Sequence, residues 1–171
     1  MSETDRNAPA RPLPLVGRIE QVGFPALGIP FVRAKVDTGA RTSALHAARM
    51  HHFEKDDRQW IRFTVPARRG RPAVRVETPL VGVKKVKSSN GQTQKRFVIK
   101  TMLEIGTQTF EAQVTLTNRA QMGYAMLLGR TALRRRYLVD VSKSYLQGGG
   151  PYEEPAKAGS PNAEREGGAA P

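Results

Sequence analysis

Residues Ala34-Lys35-Val36-Asp37-Thr38-Gly39-Ala40 set an aspartate at the end of an apolar strand and follow it with a Thr-Gly-Ala segment able to turn tightly. A carboxylate in that position is held by rigid backbone. Glycine next to it permits close approach of another loop, and nearby amides and a hydroxyl can hold the carboxylate in place. Two such carboxylates brought together cannot both ionise cheaply. They share a proton, so that one half can activate water while the other donates to a carbonyl. The simpler reading of the same residues is a capped turn, since Asp, Thr and Gly are all frequent turn formers.

Outward from this stretch the hydrophobic pattern has period 2, not 3.6. Ile29, Phe31 and Arg33 alternate with Val32, Ala34 and Val36, and Phe97, Ile99, Thr101 and Leu103 run opposite Val98, Met102 and Glu104. Phe110, Ala112, Val114 and Leu116 likewise oppose Glu111, Gln113 and Thr115. Further strands are predicted at 15–22, 44–53, 60–65, 74–86 and 137–141. Asn90-Gly91 is the dipeptide preferred in a two-residue hairpin turn. The one helical stretch is short, Thr131 to Arg136, just after Gly129. Many strands and a single short helix predict an all-β barrel or sandwich-like fold.

A second apolar strand, Tyr124-Ala125-Met126-Leu127-Leu128-Gly129-Arg130, precedes that helix. The order Asp-Thr-Gly-Ala, several strands, two apolar residues with Gly-Arg, then a helix resembles the single-lobe pepsin-like barrel of retropepsins. Together with Thr42-Ser43-Ala44-Leu45-His46, Ser88-Ser89-Asn90-Gly91, Leu116-Thr117-Asn118-Arg119 and Leu138-Val139-Asp140, it is similar to a bacterial family named ATP-dependent zinc protease. That RimB-like family is associated with the ribosomal-protein glutamate ligase RimK and grouped with retropepsin-like peptidases. The likeness runs from about Val16 to Leu146.

The resemblance implies a closed, single-lobe barrel with one short C-terminal helix. It further implies an aspartic endopeptidase with Asp37, Thr38 and Gly39 in the catalytic loop. Ala40, Leu127, Leu128, Gly129 and Arg130 would support that loop, with Leu127 and Leu128 both in the core. One chain supplies one Asp-Thr-Gly, so a peptidase would have to be a homodimer, with Thr38 locking the two loops. Ser88, Ser89, Asn90 and Gly91 stand where retropepsins carry a flap. The association with a glutamate ligase makes the glutamate-rich tail of a ribosomal protein the expected peptide or protein substrate.

The residues offer no support for the other words of that family name. Cysteine is absent, which excludes disulfides, thiolate zinc sites, iron–sulfur clusters and a thiol nucleophile. His46, His51 and His52 do not form His-Glu-x-x-His, and on one strand His51 would point away from the other two. No phosphate loop of the Gly-x-x-x-x-Gly-Lys-Ser/Thr type occurs. Neither metal nor cofactor is expected. A zinc-dependent protease is an alternative reading, as is a non-catalytic module that binds ribosomal protein or RNA.

The 171 residues carry a formal charge of +13. Residues 13–146, with 24 basic and 9 acidic residues, carry +15 and the remaining residues −2, so the positive charge belongs to the domain. Residues 1–12 and 147–171 are expected to be disordered tails, the second for its Gly, Pro and Ala content and its lack of large aliphatic residues. Lys84, Lys85, Lys87, Lys95 and Arg96 flank the expected flap and make anionic partners the natural reading: acidic polypeptide, nucleic acid or the ribosome. Aromatics are too few for an obvious stacking platform. The N-terminus lacks the basic start and apolar run of a secretory signal. No stretch approaches the roughly 18 apolar residues of a membrane span. The expectation is a cytoplasmic protein without membrane association.

Overall fold

The computed structural model describes residues 11–87, 90–118 and 123–151. Among the described residues twelve strands form: β1 (Leu15–Val16), β2 (Ile19–Phe24), β3 (Ile29–Val36), β4 (Ser43–His46), β5 (Ala48–Lys55), β6 (Arg58–Val65), β7 (Val74–Pro79), β8 (Gly82–Lys87), β9 (Thr93–Ile105), β10 (Gln108–Thr117), β11 (Met126–Leu128) and β12 (Leu138–Val139). The single α-helix among the described residues, α1, covers Arg130–Leu133. It is shorter than the sequence predicts, because Arg134 leaves helical geometry with ψ at 128°.

The main sheet runs β10-β4-β11-β3-β2-β9, and pairing of β9 with β10 closes it into a six-stranded barrel. This is the all-β, single-lobe architecture expected from the sequence. Its strongest seam is the β9–β10 hairpin, with eight residue pairs from Gln108↔Ile105 to Thr115↔Val98. The β2–β9 seam rests on the single pair Gly23↔Glu104. β11 lies parallel to β3 and antiparallel to β4, so a late strand is inserted between two early ones.

Alternation fixes what faces inward. In β6, Ile61, Phe63 and Val65 are fully buried while Trp60, Arg62 and Thr64 are only half-buried. Those buried residues join Val76 from β7 to the barrel core of Phe24, Ile29, Leu103, Leu116, Met126 and Leu128. The sheet β5-β6-β7 is thus packed onto the barrel by its apolar face. Three predicted strands are each divided: 15–22 breaks into β1 and β2 at Gly17-Arg18. The stretch 44–53 breaks into β4 and β5 at Ala47, and 74–86 breaks into β7 and β8 at Leu80-Val81.

The first and last strands of the described residues meet. β1 pairs in parallel with β12, and the fully buried carboxylate of Glu20 gathers three backbone N–H groups around the junction. Oε1 accepts from Gly17 at 2.9 Å and Leu146 at 2.8 Å, and Oε2 accepts from Gln147 at 3.2 Å. A buried carboxylate is tolerable when donors of this kind surround it. Beyond it, the Gln147 amide donates to the Leu15 carbonyl at 2.7 Å, and the Gln21 amide donates to that of Gly150 at 2.6 Å. The ordered chain therefore continues past Leu146, where composition places the start of a tail. Hydrogen bonds between side chains and backbone, which composition does not report, hold Gln147 and Gly150 in place. The remainder of both expected tails, residues 1–10 and 152–171, lies outside the described residues.

Candidate functional site

β3 delivers Asp37 to one end of the barrel, and β11 backs it. The Asp37 N–H donates to the Leu128 carbonyl at 2.9 Å, which extends the β3–β11 ladder by one rung. The carboxylate then ties its own turn: Oδ1 accepts the Gly39 N–H at 3.0 Å, and the Ala40 N–H reaches the Asp37 carbonyl at 3.2 Å. Asp37 is half-buried, with Thr38 and Gly39 exposed and Ala40 half-buried.

The other side of the loop is fastened to the start of α1. Arg130 N–H donates to the Ala40 carbonyl at 2.9 Å and Thr131 N–H to that of Arg41 at 3.0 Å. The Arg130 guanidinium adds a bond from Nη1 to the Thr38 carbonyl at 3.0 Å. Gly129 N–H is received by the buried Ser43 hydroxyl at 3.0 Å. Gly129 and Arg130 therefore clamp the 37–41 loop. Leu128 is buried behind it, but Leu127 is half-buried and lines an open depression of about 530 Å³ with Val36, Asp37, Thr38 and Tyr124. Placing both leucines in the core is corrected by strand alternation, which sends one of two neighbours outward. Asp37 is the one acidic side chain among the described residues of that depression.

Beside the loop lies a second cleft, about 430 Å³, lined by Thr38, Arg41, Arg130, Thr131 and Arg134 over an apolar floor of Leu133, Tyr137 and Val139. Tyr137 is buried and its hydroxyl donates to the Ile105 carbonyl at 2.8 Å. Burial pushes its pKa up to about 12, Arg136 opposes that rise, and Glu20 adds to it. Arg41 also faces a third hollow of about 300 Å³ that contains Lys84, Glu111 and Arg136. The guanidinium of Arg136 sits 4.2 Å from the centre of the Phe110 ring. Lys84, Arg136, Arg41, Arg130 and Arg134 thus border two hollows that share Arg41. Arg41 and Arg134 were not singled out from the sequence, and their spacing in it carries no motif.

The β8–β9 ribbon puts like charges directly opposite one another, Lys84 facing Arg96 and Lys85 facing Lys95. Each such pair opposes the ribbon by about 0.2–1 kcal/mol. Lys87 faces Thr93 instead. Lys87 and Thr93 are the last described pair before the turn expected at Asn90-Gly91. Asn90 Oδ1 accepts from the Gln92 N–H at 3.3 Å; Ser88 and Ser89 lie outside the described residues.

The histidines are separated by strand geometry. His46 is buried near the Thr117 carbonyl, while His51 and His52 are exposed on β5 beyond an irregularity in its pairing. Among the described residues no three His, Cys, Asp or Glu side chains come together as a metal site. Among them, too, no helix is long and apolar enough to cross a membrane.

A closed single-lobe barrel, with an Asp-Thr-Gly turn laced to a strand that crosses behind it, defines a retropepsin-like protein. The chain belongs to the RimB-like family: residues 15–149 match the family described as retropepsin-like aspartic endopeptidase RimB. A solved Legionella pneumophila protein of unknown function has the same fold, with a TM-score of 0.68 at 30% identity over 79% of this chain and 98% of that one. A Shewanella pealeana protein is 42% identical over 136 residues, which is 78% of this chain and 30% of its own length. A Desulfotalea psychrophila protein is 36% identical over 156 residues, 90% of this chain and 34% of its own length. Both carry the name "Probable alpha-L-glutamate ligase". The chain spans about a third of the length of these curated relatives.

Those names correct the functional expectation. The matched relatives are named for joining glutamate, and none of the four is named a peptidase, hydrolase or nucleic-acid-binding protein. The reading as an aspartic endopeptidase is overturned, and with it the zinc-protease alternative. The physical reason for the misreading lies in the turn. Asp-Thr-Gly specifies how the loop is tied, through Asp37 to Gly39, and a fold leaves open which bond its bearers act on. The relatives' names are those of enzymes, and the reaction type does not follow from the loop.

Proposed function

We propose that this domain serves alpha-glutamate ligation by holding the acidic polypeptide that carries the glutamates. The observation that carries this reading is the arginine-lined cleft beside the Asp37 loop, in a chain whose relatives are named glutamate ligases. Arg41 and Arg134 are exposed, and guanidinium groups match carboxylates in shape and charge. Lys84 and Arg136 continue the basic lining into the neighbouring hollow, giving an extended acidic chain successive contacts. The apolar floor of Leu133 and Val139 suits the methylenes of glutamate side chains. The ligation step itself is left to the two thirds of the ligase relatives that this chain does not match.

Fluorescence anisotropy with a labelled alpha-linked oligoglutamate tests the reading. Wild-type protein is expected to bind it saturably at low salt, more weakly as salt rises, and to ignore oligolysine. Arg41→Gln with Arg134→Gln is expected to weaken binding about tenfold, the effect of losing two charge-assisted contacts at a partly exposed site. Binding unchanged in that double variant would overturn the assignment of the cleft.

A further inference from the structure

After β12 the chain runs back along β2, and the contacts spaced along it decide where it goes. The Tyr145 N–H donates to the Ile19 carbonyl at 2.8 Å. The N–H groups of Leu146 and Gln147 meet the Glu20 carboxylate, and the Gly150 carbonyl accepts from the Gln21 amide at 2.6 Å. Residues 145–150 thus meet residues 19, 20 and 21 in order. Gly148 and Gly149 have φ of 102° and 75°, a left-handed bend that glycine adopts without strain. Gly149 lies against the Gln21 side chain with no room for a Cβ.

This strap ends at a basic pocket. Pro151 forms part of the wall of a hollow of about 200 Å³ together with Arg33, Arg68, Arg69 and Arg71. Arg33 ties the strap to that wall, since its Nε donates to the Tyr145 hydroxyl at 2.9 Å. Arg71, only 4% exposed, is set in place by bonds to the Pro66 carbonyl at 2.9 Å and the Pro72 carbonyl at 3.2 Å. The sequence continues Tyr152-Glu153-Glu154, so the first two charges beyond Pro151 are both negative. An extended chain spans about 3.3–3.6 Å per residue, which keeps Glu153 within roughly 7 Å of Pro151 and Glu154 within roughly 11 Å. Guanidinium groups match carboxylates in shape and charge.

We propose that Glu153 and Glu154 dock in this arginine pocket, so that the C-terminal segment is a clasp joining the strap on β2 to the Arg68–Arg71 turn. The pocket shares Gly123 with the Asp37 depression, and the docked acids border the candidate site. The clasp is independent of the glutamate reading and of the Arg41–Arg134 cleft.

The chain has no cysteine, so Ala156→Cys places a single spin label on the full-length protein. Amide NMR then reads the broadening of Gly70 and Arg71, and the same spectra show that each variant is folded. Because Pro151 is anchored beside the pocket in any case, the charge dependence of the broadening decides. At low salt, Glu153→Gln/Glu154→Gln is expected to lower it about threefold, the size of losing partly exposed ion pairs, while Glu153→Asp/Glu154→Asp retains most of it. Raised salt is expected to act on the wild type as the Gln substitutions do. Equal broadening in the wild type and the Gln variant would overturn the proposal. So would broadening passed from a spin-labelled chain to a separate, isotopically labelled one, which would give the pocket to a second copy's tail.

Discussion

Gly129 abuts the peptide of Thr42 so closely that a Cβ on it would stand 2.6 Å from both the carbonyl carbon and oxygen of that residue. The contact is with backbone, and the Ser43 hydroxyl bonded to Gly129 N–H fixes it from the other side. A side chain would therefore have to pry β4 from the start of α1. Gly129→Val is expected to destabilise the domain by about 3 kcal/mol, at the upper end for overpacking, and Gly129→Ala by somewhat less. Thermal melts provide the check, and a Gly129→Val protein with an unshifted midpoint would contradict this geometry.

Glu20→Gln is expected to loosen the junction of Gly17 with Leu146 and Gln147. An amide nitrogen in place of either carboxylate oxygen would confront a backbone N–H, leaving a buried donor unmet at a cost of about 1–3 kcal/mol. Hydrogen exchange should accelerate first at Leu146 and Gln147, before the barrel strands respond. Uniform protection across both proteins would argue that the carboxylate contributes nothing there.

Tyr137 gives the domain an alkaline limit. Its folded pKa of about 12 stands above the ordinary 10.0, so the folded state keeps the phenol proton longer than the unfolded chain does. The associated stability is complete below pH 10 and is lost as pH rises through the folded value. Ultraviolet titration of the tyrosinates should place its latest step near pH 12, and Tyr137→Phe should remove that step. The variant also forfeits the bond to Ile105, so it melts lower at neutral pH.

Asp37→Asn should retain the loop, since an amide oxygen can still receive the Gly39 N–H. If the neighbouring cleft takes an acidic chain, removing this negative charge strengthens oligoglutamate binding about two- to threefold at low salt, the size of a screened surface repulsion. The same anisotropy assay reads it, and weaker binding in Asp37→Asn would contradict the placement of the acidic chain beside the loop.

What the sequence discloses and what it conceals divide along sequence separation and hydrogen bonding. Val36 to Ala40 and Met126 to Arg130 could be read because an apolar run that stops at Asp or Gly is a local pattern, and the fold follows from their order. Glu20 was silent, because its two C-terminal partners lie 126 and 127 residues away and nothing near it marks it as buried. Arg41 and Arg134 converge only once α1 is folded back against the loop.

The insertion of β11 between β3 and β4 governs how the domain comes into being. Its neighbours are synthesised some ninety residues earlier, yet the gap between them is filled only when Met126–Leu128 arrives. A nascent chain halted before Met126 has the edges of β3 and β4 unpaired toward each other, and the barrel cannot be completed piecemeal. Folding on the ribosome should be deferred until nearly the whole domain has left the exit tunnel, with the slow kinetics of distant strand pairing. Pulse proteolysis of arrested chains of increasing length would show one abrupt gain of resistance after β11, and a gradual gain would speak against it.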